Sequence, residues 1–530
     1  DLLGWSVGTA GDVNGDGYAD VIVGAPYNDD GGGDAGKAYI YHGSATGLSV
    51  TGVHTVTGEA VQDWFGNSVG TVGDANGNSV GDAVVTGTGG ITQNGAAMLT
   101  ISQDNTYTGD TTVAAGNLYL TGSIDGDVVV NGGRFIPGSD TPVAAGKQIE
   151  VNGGLLQSDD PARNLAAPII VGGDFGVDGV NDLELSGIVS GNGKLTKDTT
   201  NGVLRLSGTN TRTGTTDIFR GTIDVANGDA LPDTGLVDIT SNSGILNLSD
   251  DETIGSLQGV AGSTVMLNAN TLTTGDGTDT QFDGDLTGTG GLTKQGAGKF
   301  SLGGTNTYTG ATNVNSGTLE LLNGSAIADT APVNVAAGAM LDVTDSNETI
   351  GPLSGPAGAN VDLGTRTLTI NSTTDTTFAG TMTNIGGGSI TKDGPGTLTM
   401  SGNHTYTGVT NINDGTLHLT GSVDGSVIVN GGTLTGTGTV GDGISSDMLD
   451  VQSGTVSPGN SIGTIPVNGN FLLAAGATFD VEIDRDNPGT TGDPTNPGMA
   501  DLIDATGTAN LANGSIVNVT PIGVADLEEN

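Results

Sequence analysis

Residues 290–321 decide the fold, and they read GGLTKQGAGKFSLGGTNTYTGATNVNSGTLEL. The segment NTYTG at 306–310 recurs as NTYTG at 105–109, as NTRTG at 210–214 and as HTYTG at 404–408. The closing glycines of successive copies lie 105, 96 and 98 residues apart. A segment that returns at a nearly constant spacing is typical of an elongated repeat protein, in which each unit buries its apolar face only against its neighbours.

Apolar residues around these copies alternate in short runs, as in GTLEL at 317–321. Other segments recur in the same order: ETIGSL at 252–257 returns as ETIGPL at 348–353, and VVVNGG at 128–133 returns as VIVNGG at 427–432. Alternation over three to five residues, punctuated by Gly, Asn, Asp and Thr, predicts short strands joined by turns. With about 20 residues per coil and ~4.8 Å between stacked strands, residues 89–530 predict a rod on the order of 100 Å long.

The composition favours a thin core over a thick one. Gly accounts for 96 of 530 residues, aromatic residues for 4% and hydrophobic residues for 34%. Such values approach those of disordered chains, but here the apolar residues lie in alternating runs rather than at random. A core that is one or two side chains across and very long fits both observations.

The charge and the missing residue types exclude several function classes. A formal net charge of −45 repels nucleic acid and anionic lipid, so neither is an expected partner. The same charge favours the binding of divalent cations. The absence of cysteine removes disulfides, zinc thiolate sites and cysteine nucleophiles. No stretch approaches the ~20 apolar residues of a membrane helix, so this segment is not expected to insert into a membrane. Because the chain opens inside a motif, we expect it to be a piece of a longer precursor.

The order of the repeated segments resembles the autotransporter-associated β-strand repeats, which form right-handed parallel β-helices in secreted passenger domains. Three further segments resemble the last stretch of such passengers: SPGNSIGT at 457–464, GATFDVEI at 476–483 and DLIDATG at 501–507. The resemblance implies an all-β fold with a parallel β-helix over 89–455 and closing coils with an acidic Pro/Gly loop over 456–530. It also implies an extracellular location at a bacterial cell surface.

The first ninety residues carry a different pattern, an acidic loop suited to a hard cation. Oxygen-bearing side chains occur at alternate positions, with a backbone carbonyl available at the fourth, in the set Asp12, Asn14, Asp16, Tyr18 and Asp20. Calcium takes six to eight oxygen ligands, and the intervening glycines allow the tight turn around it. The sequence therefore predicts a calcium site here. An Asx-rich turn without an ion is the alternative.

The segments flanking this loop resemble integrin-type FG-GAP repeats. LGWSVG at 3–8 matches the FG segment, GAP at 24–26 matches the GAP segment, and GKAYIY at 36–41 resembles the closing strand of a propeller blade. A second copy begins at FGNSVG, 65–70, with a weaker loop whose candidate ligands are Asp74, Asn76, Asn78, Val80 and Asp82. Residues 1–88 are thus expected to hold two FG-GAP-like, calcium-binding repeats, too few to close a propeller.

Catalytic signatures are weak. The G-x-S-x-G pattern occurs around Ser6, Ser68, Ser79 and Ser461, but no helix or neighbouring histidine accompanies it, and the histidines are His42, His54, His404 and His418. The densest group of carboxylates with a basic residue contains Glu482, Asp484, Arg485, Asp486, Asp493 and Asp501. Such a group is what a polysaccharide lyase or hydrolase on a β-helix requires. The preferred interpretation is a solvated loop on a protein that is acidic throughout.

The sequence favours a non-enzymatic extracellular protein, a rigid β-helix stalk with a calcium-stabilised N-terminal segment. It would act as an adhesin that binds a host or glycan surface ligand, or as a subunit of a self-assembling surface fibre. A secreted carbohydrate-active enzyme on the same scaffold remains the alternative. No motif names the ligand.

Overall fold

The computed structural model describes residues 2–11, 13, 16–51, 53–58, 61–67, 69–73, 82–85, 88–96, 98–102, 104–158, 161–444, 447–459, 461–484 and 500–522. Throughout these residues the regular structure is β-strand, with no helix. The chain divides into two compact units, Asp1–Gly255 and Ser256–Asn530. The expected all-β fold is confirmed, whereas the domain boundaries 1–88, 89–455 and 456–530 stay predictions.

The first unit opens with an antiparallel sheet in the order β1-β2-β3-β4, followed by an antiparallel hairpin, β5–β6. The bounds are β1 Ser6–Gly11, β2 Asp20–Ala25, β3 Lys37–Tyr41, β4 His54–Thr57, β5 Val69–Gly73 and β6 Asp82–Val85. In β3 the pattern KAYIY buries alternate residues, Ala38 and Ile40, which is the period of two that strands impose. This small module lies against the first solenoid coil of the same unit, where Phe65 is fully buried and its side chain meets Gly89.

From residue 91 the first unit is a parallel β-solenoid. Its strands are β7 Ile91–Gln93, β8 Met98–Ile101, β9 Thr111–Val113, β10 Asn117–Leu120, β11 Val128–Val130, β12 Arg134–Pro137, β13 Ile149–Val151, β14 Leu155–Ser158, β15 Arg163–Leu165, β16 Ile169–Val171, β17 Phe175–Gly179, β18 Leu183–Leu185, β19 Val189–Gly191, β20 Leu195–Leu206, β21 Thr216–Val225, β22 Leu236–Ile239, β23 Gly244–Leu248 and β24 Glu252–Thr253.

The second unit is also a parallel β-solenoid. Its strands are β25 Ser256–Gly259, β26 Thr264–Asn268, β27 Leu272–Thr274, β28 Thr280–Phe282, β29 Asp285–Gly288, β30 Leu292–Lys294, β31 Lys299–Leu302, β32 Thr312–Val314, β33 Thr318–Leu321, β34 Val333–Val335, β35 Met340–Asp342, β36 Glu348–Ile350, β37 Leu353–Ser354, β38 Asn360–Asp362, β39 Thr367–Asn371, β40 Thr376–Phe378, β41 Thr381–Thr383, β42 Ser389–Asp393, β43 Thr397–Met400, β44 Asn403–His404, β45 Thr410–Ile412, β46 Thr416–Leu419, β47 Ser422–Val423, β48 Val427–Gly436, β49 Thr439–Val440, β50 Met448–Pro458, β51 Thr464–Val467, β52 Asn470–Leu473, β53 Thr478–Asp484, β54 Leu502–Ala505, β55 Ala509–Leu511 and β56 Ile516–Ile522.

The ladder register shows the length of a coil. Leu292 of β30 pairs with Thr312 of β32, and Thr312 pairs with Val333 of β34, so these two coils take 20 and 21 residues. The coil between Thr111 of β9 and Val128 of β11 is shorter, at 17 residues. Because successive coils align apolar positions, the interior is a column of buried side chains such as Leu319, Leu341 and Val361, all 0% exposed. The predicted period of about 20 residues and the thin, continuous core are confirmed.

Some strands are longer than the three to five residues that the sequence pattern predicts. β20 spans 12 residues, β50 spans 11, and β21 and β48 span 10 each. Register shifts occur within the β20–β21 ladder at Asp198 and within the β48–β50 ladder at Asn430. Hydrogen bonding therefore continues through a local irregularity, so two predicted strands and the turn between them form one element.

Aspartates between the strands explain part of the acidic composition. Oδ1 of Asp279 accepts a hydrogen bond from the backbone N–H of Lys299 at 2.8 Å, one coil further along the chain. The same contact recurs at Asp104, Asp127, Asp174, Asp182 and Asp375, with donors 19 to 22 residues later, and at Asp285, the first residue of β29. At turns, where no strand supplies a carbonyl acceptor, a short carboxylate side chain pairs the otherwise unsatisfied N–H group.

Candidate functional site

The predicted calcium loop connects β1 to β2, and the structure describes three of its five candidate ligands. Oδ1 of Asp16 accepts a hydrogen bond from the N–H of Tyr18 at 2.9 Å, a contact typical of an Asx turn. Tyr18 is exposed, and it would bind an ion through its backbone carbonyl. Asp12 and Asn14 lie outside the described residues.

Asp20 closes the base of this loop. Its side chain is 0% exposed, and Oδ2 accepts a hydrogen bond from Val13 N–H at 2.7 Å while Oδ1 accepts one from Gly43 N–H at 2.6 Å. His42 Nδ1 lies 3.4 Å from Asp20 Oδ2, and the His42 and His54 rings meet edge to face at 5.0 Å. The buried carboxylate therefore ties the loop to the strand ends on either side of it.

The oxygen donors of the first loop suit Ca²⁺ chemically, because hard cations prefer carboxylate and carbonyl oxygens. Within the described part of the chain, no three His, Asp or Glu side chains lie close enough together to hold a metal ion. In the second loop Asp74, Asn76, Asn78 and Val80 lie outside the described residues, and Asp82 is placed as the first residue of β6. Both calcium sites thus stay predictions.

The predicted carboxylate group near the C-terminus is only partly described, and its best-placed member has a structural role. Asp501 is 6% exposed, and its two carboxylate oxygens accept hydrogen bonds from the N–H groups of Gly463 at 2.8 Å and Glu482 at 2.7 Å. This arrangement holds β53 and β54 together. Arg485, Asp486 and Asp493 lie outside the described residues, as does the side chain of Asp484.

The described histidines lie against groups other than the serines of the G-x-S-x-G pattern. Ser6 Oγ donates to the carbonyl of Gly66 at 2.7 Å. His404 is fully buried in the second unit, where Nδ1 accepts the N–H of Met382 at 3.2 Å, and burial lowers the pKa of His404 to about 4. His418 Nδ1 lies 2.9 Å from Thr435 Oγ1.

The aromatic position of the NTYTG segment forms a buried hydrogen bond in each solenoid. Tyr308 is 0% exposed, and its hydroxyl lies 2.6 Å from Thr312 Oγ1. Tyr107 and Tyr406 make the same contact with Thr111 and Thr410, each at 2.5 Å. These tyrosines are therefore core residues, and burial raises the pKa of each above its usual range.

Arg212 occupies the tyrosine position in the second copy of the segment. It is 1% exposed, and Nη1 donates to the carbonyl of Thr215 at 2.8 Å while Nη2 donates to Thr216 Oγ1 at 2.5 Å. Burial lowers the pKa of this guanidinium to about 10. Arg212 thus bonds to the threonine four residues later, as the tyrosines do in the other copies. Unlike tyrosine, it places a charge in the core, and burying a charge is unfavourable.

Lysines at a second repeat position donate hydrogen bonds to the backbone carbonyls of a turn. Lys294 Nζ donates to the carbonyls of Gln295, Gly296 and Ser316 at 2.7, 2.9 and 3.1 Å, and Lys392 makes the equivalent three contacts. Burial lowers the pKa of both ammonium groups. At the corresponding position of the first repeat, Gln93 Nε2 donates to the carbonyl of Gly95 at 3.2 Å. The sequence alone does not show that these lysines are buried.

The sequence alone also does not show that two glutamates at a third repeat position are buried. Glu252 and Glu348, 96 residues apart, are each 2% exposed. Oε1 of Glu252 accepts the N–H of Leu231 at 3.1 Å and Oε1 of Glu348 accepts that of Ile327 at 3.0 Å. Burial raises the pKa of each to about 8. The recurrence of ETIG was the available signal.

Among the described residues, none belongs to a helix of the length and apolarity that crossing a membrane requires.

Comparison with protein families matches two repeat types. The passenger-associated-transport-repeat matches residues 91–120, 201–225, 292–321 and 390–419. Each match contains one copy of the repeated segment. The FG-GAP repeat matches residues 3–41, which contain β1, β2, β3 and the acidic loop. The resemblance to passenger repeats and the resemblance of the first FG-GAP-like copy are thereby confirmed, whereas the second copy, which begins at residue 65, stays a prediction.

Comparison with known proteins agrees with these families. The chain is 30% identical over 526 residues to the adhesin BmaC autotransporter of Brucella suis biovar 1 (strain 1330), an alignment that covers 83% of this chain and 15% of that protein. It is 39% identical over 84 residues to human integrin alpha-6, and 40% identical over 82 residues to an extracellular serine protease of Serratia marcescens, covering 7% of each relative. The chain thus spans about 15% of the length of the Brucella adhesin and about 7% of the other two.

The parallel solenoid, the four transport repeats and the FG-GAP repeat all indicate a passenger of the autotransporter type, located outside the cell or on its surface. The chain is an autotransporter passenger-type β-solenoid with an FG-GAP repeat, and it is an extracellular or cell-surface protein.

Proposed function

We propose that the chain is a non-enzymatic, adhesive segment of a surface protein, which binds a ligand on a host cell or in its glycan coat. The alignment of 83% of the chain with an autotransporter adhesin is the observation that carries this proposal. The structure supports it because stacked parallel ladders make a stiff scaffold and because Asp501, the best-placed candidate catalytic carboxylate, pairs with backbone N–H groups. A catalytic carboxylate would need to reach substrate.

Adhesion is tested with beads that carry the purified chain. We expect such beads to attach to epithelial monolayers more often than beads that carry the heat-unfolded chain, and soluble folded chain should compete. Equal attachment of folded and unfolded chain would contradict the proposal. Release of reducing ends from polysaccharide that is lost on changing Asp501 to asparagine would favour the carbohydrate-active enzyme instead.

Calcium stabilisation of the N-terminal module is the second part of the proposal. Asp12, Asn14, Asp16 and Asp20 would supply side-chain oxygens and Tyr18 its carbonyl. We expect Ca²⁺ at 100 times its dissociation constant to stabilise this module by about 2.7 kcal/mol. Titration calorimetry and the unfolding midpoint with Ca²⁺ or EGTA measure it. Asp16→Ala should weaken binding strongly, whereas Asp345→Ala, at an exposed position in the second unit, should not.

A calcium response that is unchanged in Asp16→Ala would remove the loop from the proposal and would direct attention to the weaker set at Asp74, Asn76, Asn78, Val80 and Asp82. An absence of any calcium response would favour the Asx-rich turn without an ion.

Self-assembly into a fibre is the alternative role. Sedimentation of the chain at increasing concentration distinguishes a monomer from such a polymer.

A further inference from the structure

A groove of about 500 Å³ lies on the second unit, beside the ends of β32, β34, β37 and β40. These four strands belong to successive coils, so the groove follows the direction in which coils stack. Its lining includes Asn315, Asn334, Ser354, Pro356, Thr377 and Ala379. The groove is open to solvent, so a ligand would lie along it rather than be enclosed.

The groove forms where a regular ladder ends. β27, β30, β32, β34 and β37 form parallel neighbours, but β37 has two residues, and the single bridge from Gly355 to Phe378 joins it to β40. The N–H of Gly355 donates to the carbonyl of Thr377 at 3.1 Å, and the N–H of Ala379 donates to that of Gly355 at 2.7 Å. A Cβ on Gly355 would lie 2.8 Å from the carbonyl oxygen of Val335 and 2.9 Å from the Phe378 ring. Glycine thus allows the close approach of coils that shapes the groove.

A ladder of side-chain hydrogen bonds orients the polar groups of the groove. Asn334 Nδ2 donates to Asn313 Oδ1 at 2.9 Å, and Ser354 Oγ donates to Asn334 Oδ1 at 2.5 Å. The amide of Asn334 is therefore held in one orientation by the coils before and after it. Groups that are already oriented lose less conformational entropy on binding.

The lining holds no ionisable side chain, although the chain carries 59 Asp and Glu against 14 Lys and Arg. It combines small apolar groups, Val335, Ala336, Pro356 and Ala379, with amides and hydroxyls. A charged ligand would lose hydration here without gaining an opposite charge. A neutral ligand with many hydroxyl groups matches the lining, because amides both donate and accept hydrogen bonds and because the C–H faces of sugar rings pack on small apolar groups.

We propose that this groove binds a short, uncharged stretch of glycan. The inference rests on the proposed adhesive function and deepens it by placing the ligand site and naming the ligand class. Asn315, Asn334, Ser354 and Thr377 supply the hydrogen bonds, and Pro356 and Ala379 supply the surface against which the rings pack.

The test uses the full chain and three neutral probes, lactose, maltotriose and chitotriose, in saturation-transfer NMR and titration calorimetry. We expect at least one probe to bind, and we expect Asn334→Asp and Thr377→Val each to weaken it by about tenfold, the effect of ~1.4 kcal/mol. Asn334→Asp keeps the acceptor for Ser354 but adds a charge, and Thr377→Val removes one exposed hydroxyl.

The control is Asn152→Asp in the first unit. Asn152 Nδ2 donates to Asn131 Oδ1 at 3.0 Å and to Glu150 Oε1 at 2.8 Å. This variant therefore makes the same change in another asparagine pair far from the groove in sequence, and it places the new charge beside Glu150. Unchanged binding by the control supports the groove, and an equal loss in all three variants overturns it. Binding of none of the probes also overturns it, while bead attachment to cells would show separately whether the adhesive function stands.

Discussion

Replacing Tyr308 by alanine is expected to lower the free energy of unfolding of the second unit by about 3–5 kcal/mol. The ring is 0% exposed, so its removal leaves a cavity, and it also leaves Thr312 without its hydroxyl partner at 2.6 Å. Each coil contacts only its neighbours, so the loss should be concentrated near the altered coil. Urea unfolding measures the total, and hydrogen exchange of the amides in β30 to β35 measures its location.

Tyr308→Phe is the matched control, because it keeps the ring and removes only the hydroxyl. It should cost about 1–2 kcal/mol, the penalty for a buried polar group left unpaired. If alanine costs no more than phenylalanine, the ring does not support the core, and the role that we assign to the repeated tyrosine is wrong.

Changing both Glu252 and Glu348 to glutamine is expected to remove a loss of stability at high pH. Burial raises the pKa of each carboxyl to about 8 from 4.5, so the folded chain binds more protons than the unfolded chain between these values. The stabilising contribution is therefore complete below pH 4.5 and is lost as the pH rises through 8. Each pKa unit corresponds to about 1.4 kcal/mol, so each glutamate should contribute a few kcal/mol.

The measurement compares unfolding midpoints of the wild-type chain and the double variant from pH 4 to pH 9. Glutamine keeps an acceptor for the N–H groups of Leu231 and Ile327, so the curves should meet at low pH and diverge above pH 5, with the variant more stable at pH 9. Asp229, Asp233 and Asp329 are the charges nearby and act in the same direction. Parallel curves at every pH would show that the glutamates titrate normally.

His404 produces an opposite pH dependence, which the double variant retains. Because burial lowers its pKa to about 4 from 6.5, its contribution to stability is present above pH 6.5 and is lost as the pH falls through 4. The comparison between the two chains cancels this contribution.

The repeated NTYTG segment and the short alternating runs predicted an elongated repeat protein built from short strands. The value of about 20 residues per coil came from solenoid proteins in general, and the family resemblance implied the parallel β-helix. The first inference was possible because the period of the apolar residues and the positions of turn residues are local properties of the chain. The family resemblances rested on the same contiguous segments, and the repeat matches at 91–120 and 292–321 confirm them.

The acidic loop at 12–20 was equally visible, because calcium-loop ligands alternate within nine residues. By contrast, local patterns did not show that Asp279 pairs with the N–H of Lys299 or that Asp501 joins β53 to β54. These partners lie 19 or 20 residues away, in the next coil or after an intervening segment.

The sequence by itself determined the class of fold, a stack of short strands in a repeat protein, and the candidate ligands of the loop, since both depend on residue spacing. Only the tertiary structure decided which polar residues are buried, such as Lys294 and Glu348, and where the ladder ends to leave the uncharged groove at Asn334. Burial and concavity depend on how one coil lies on the next, and that register is a property of pairs of coils rather than of any single stretch of sequence.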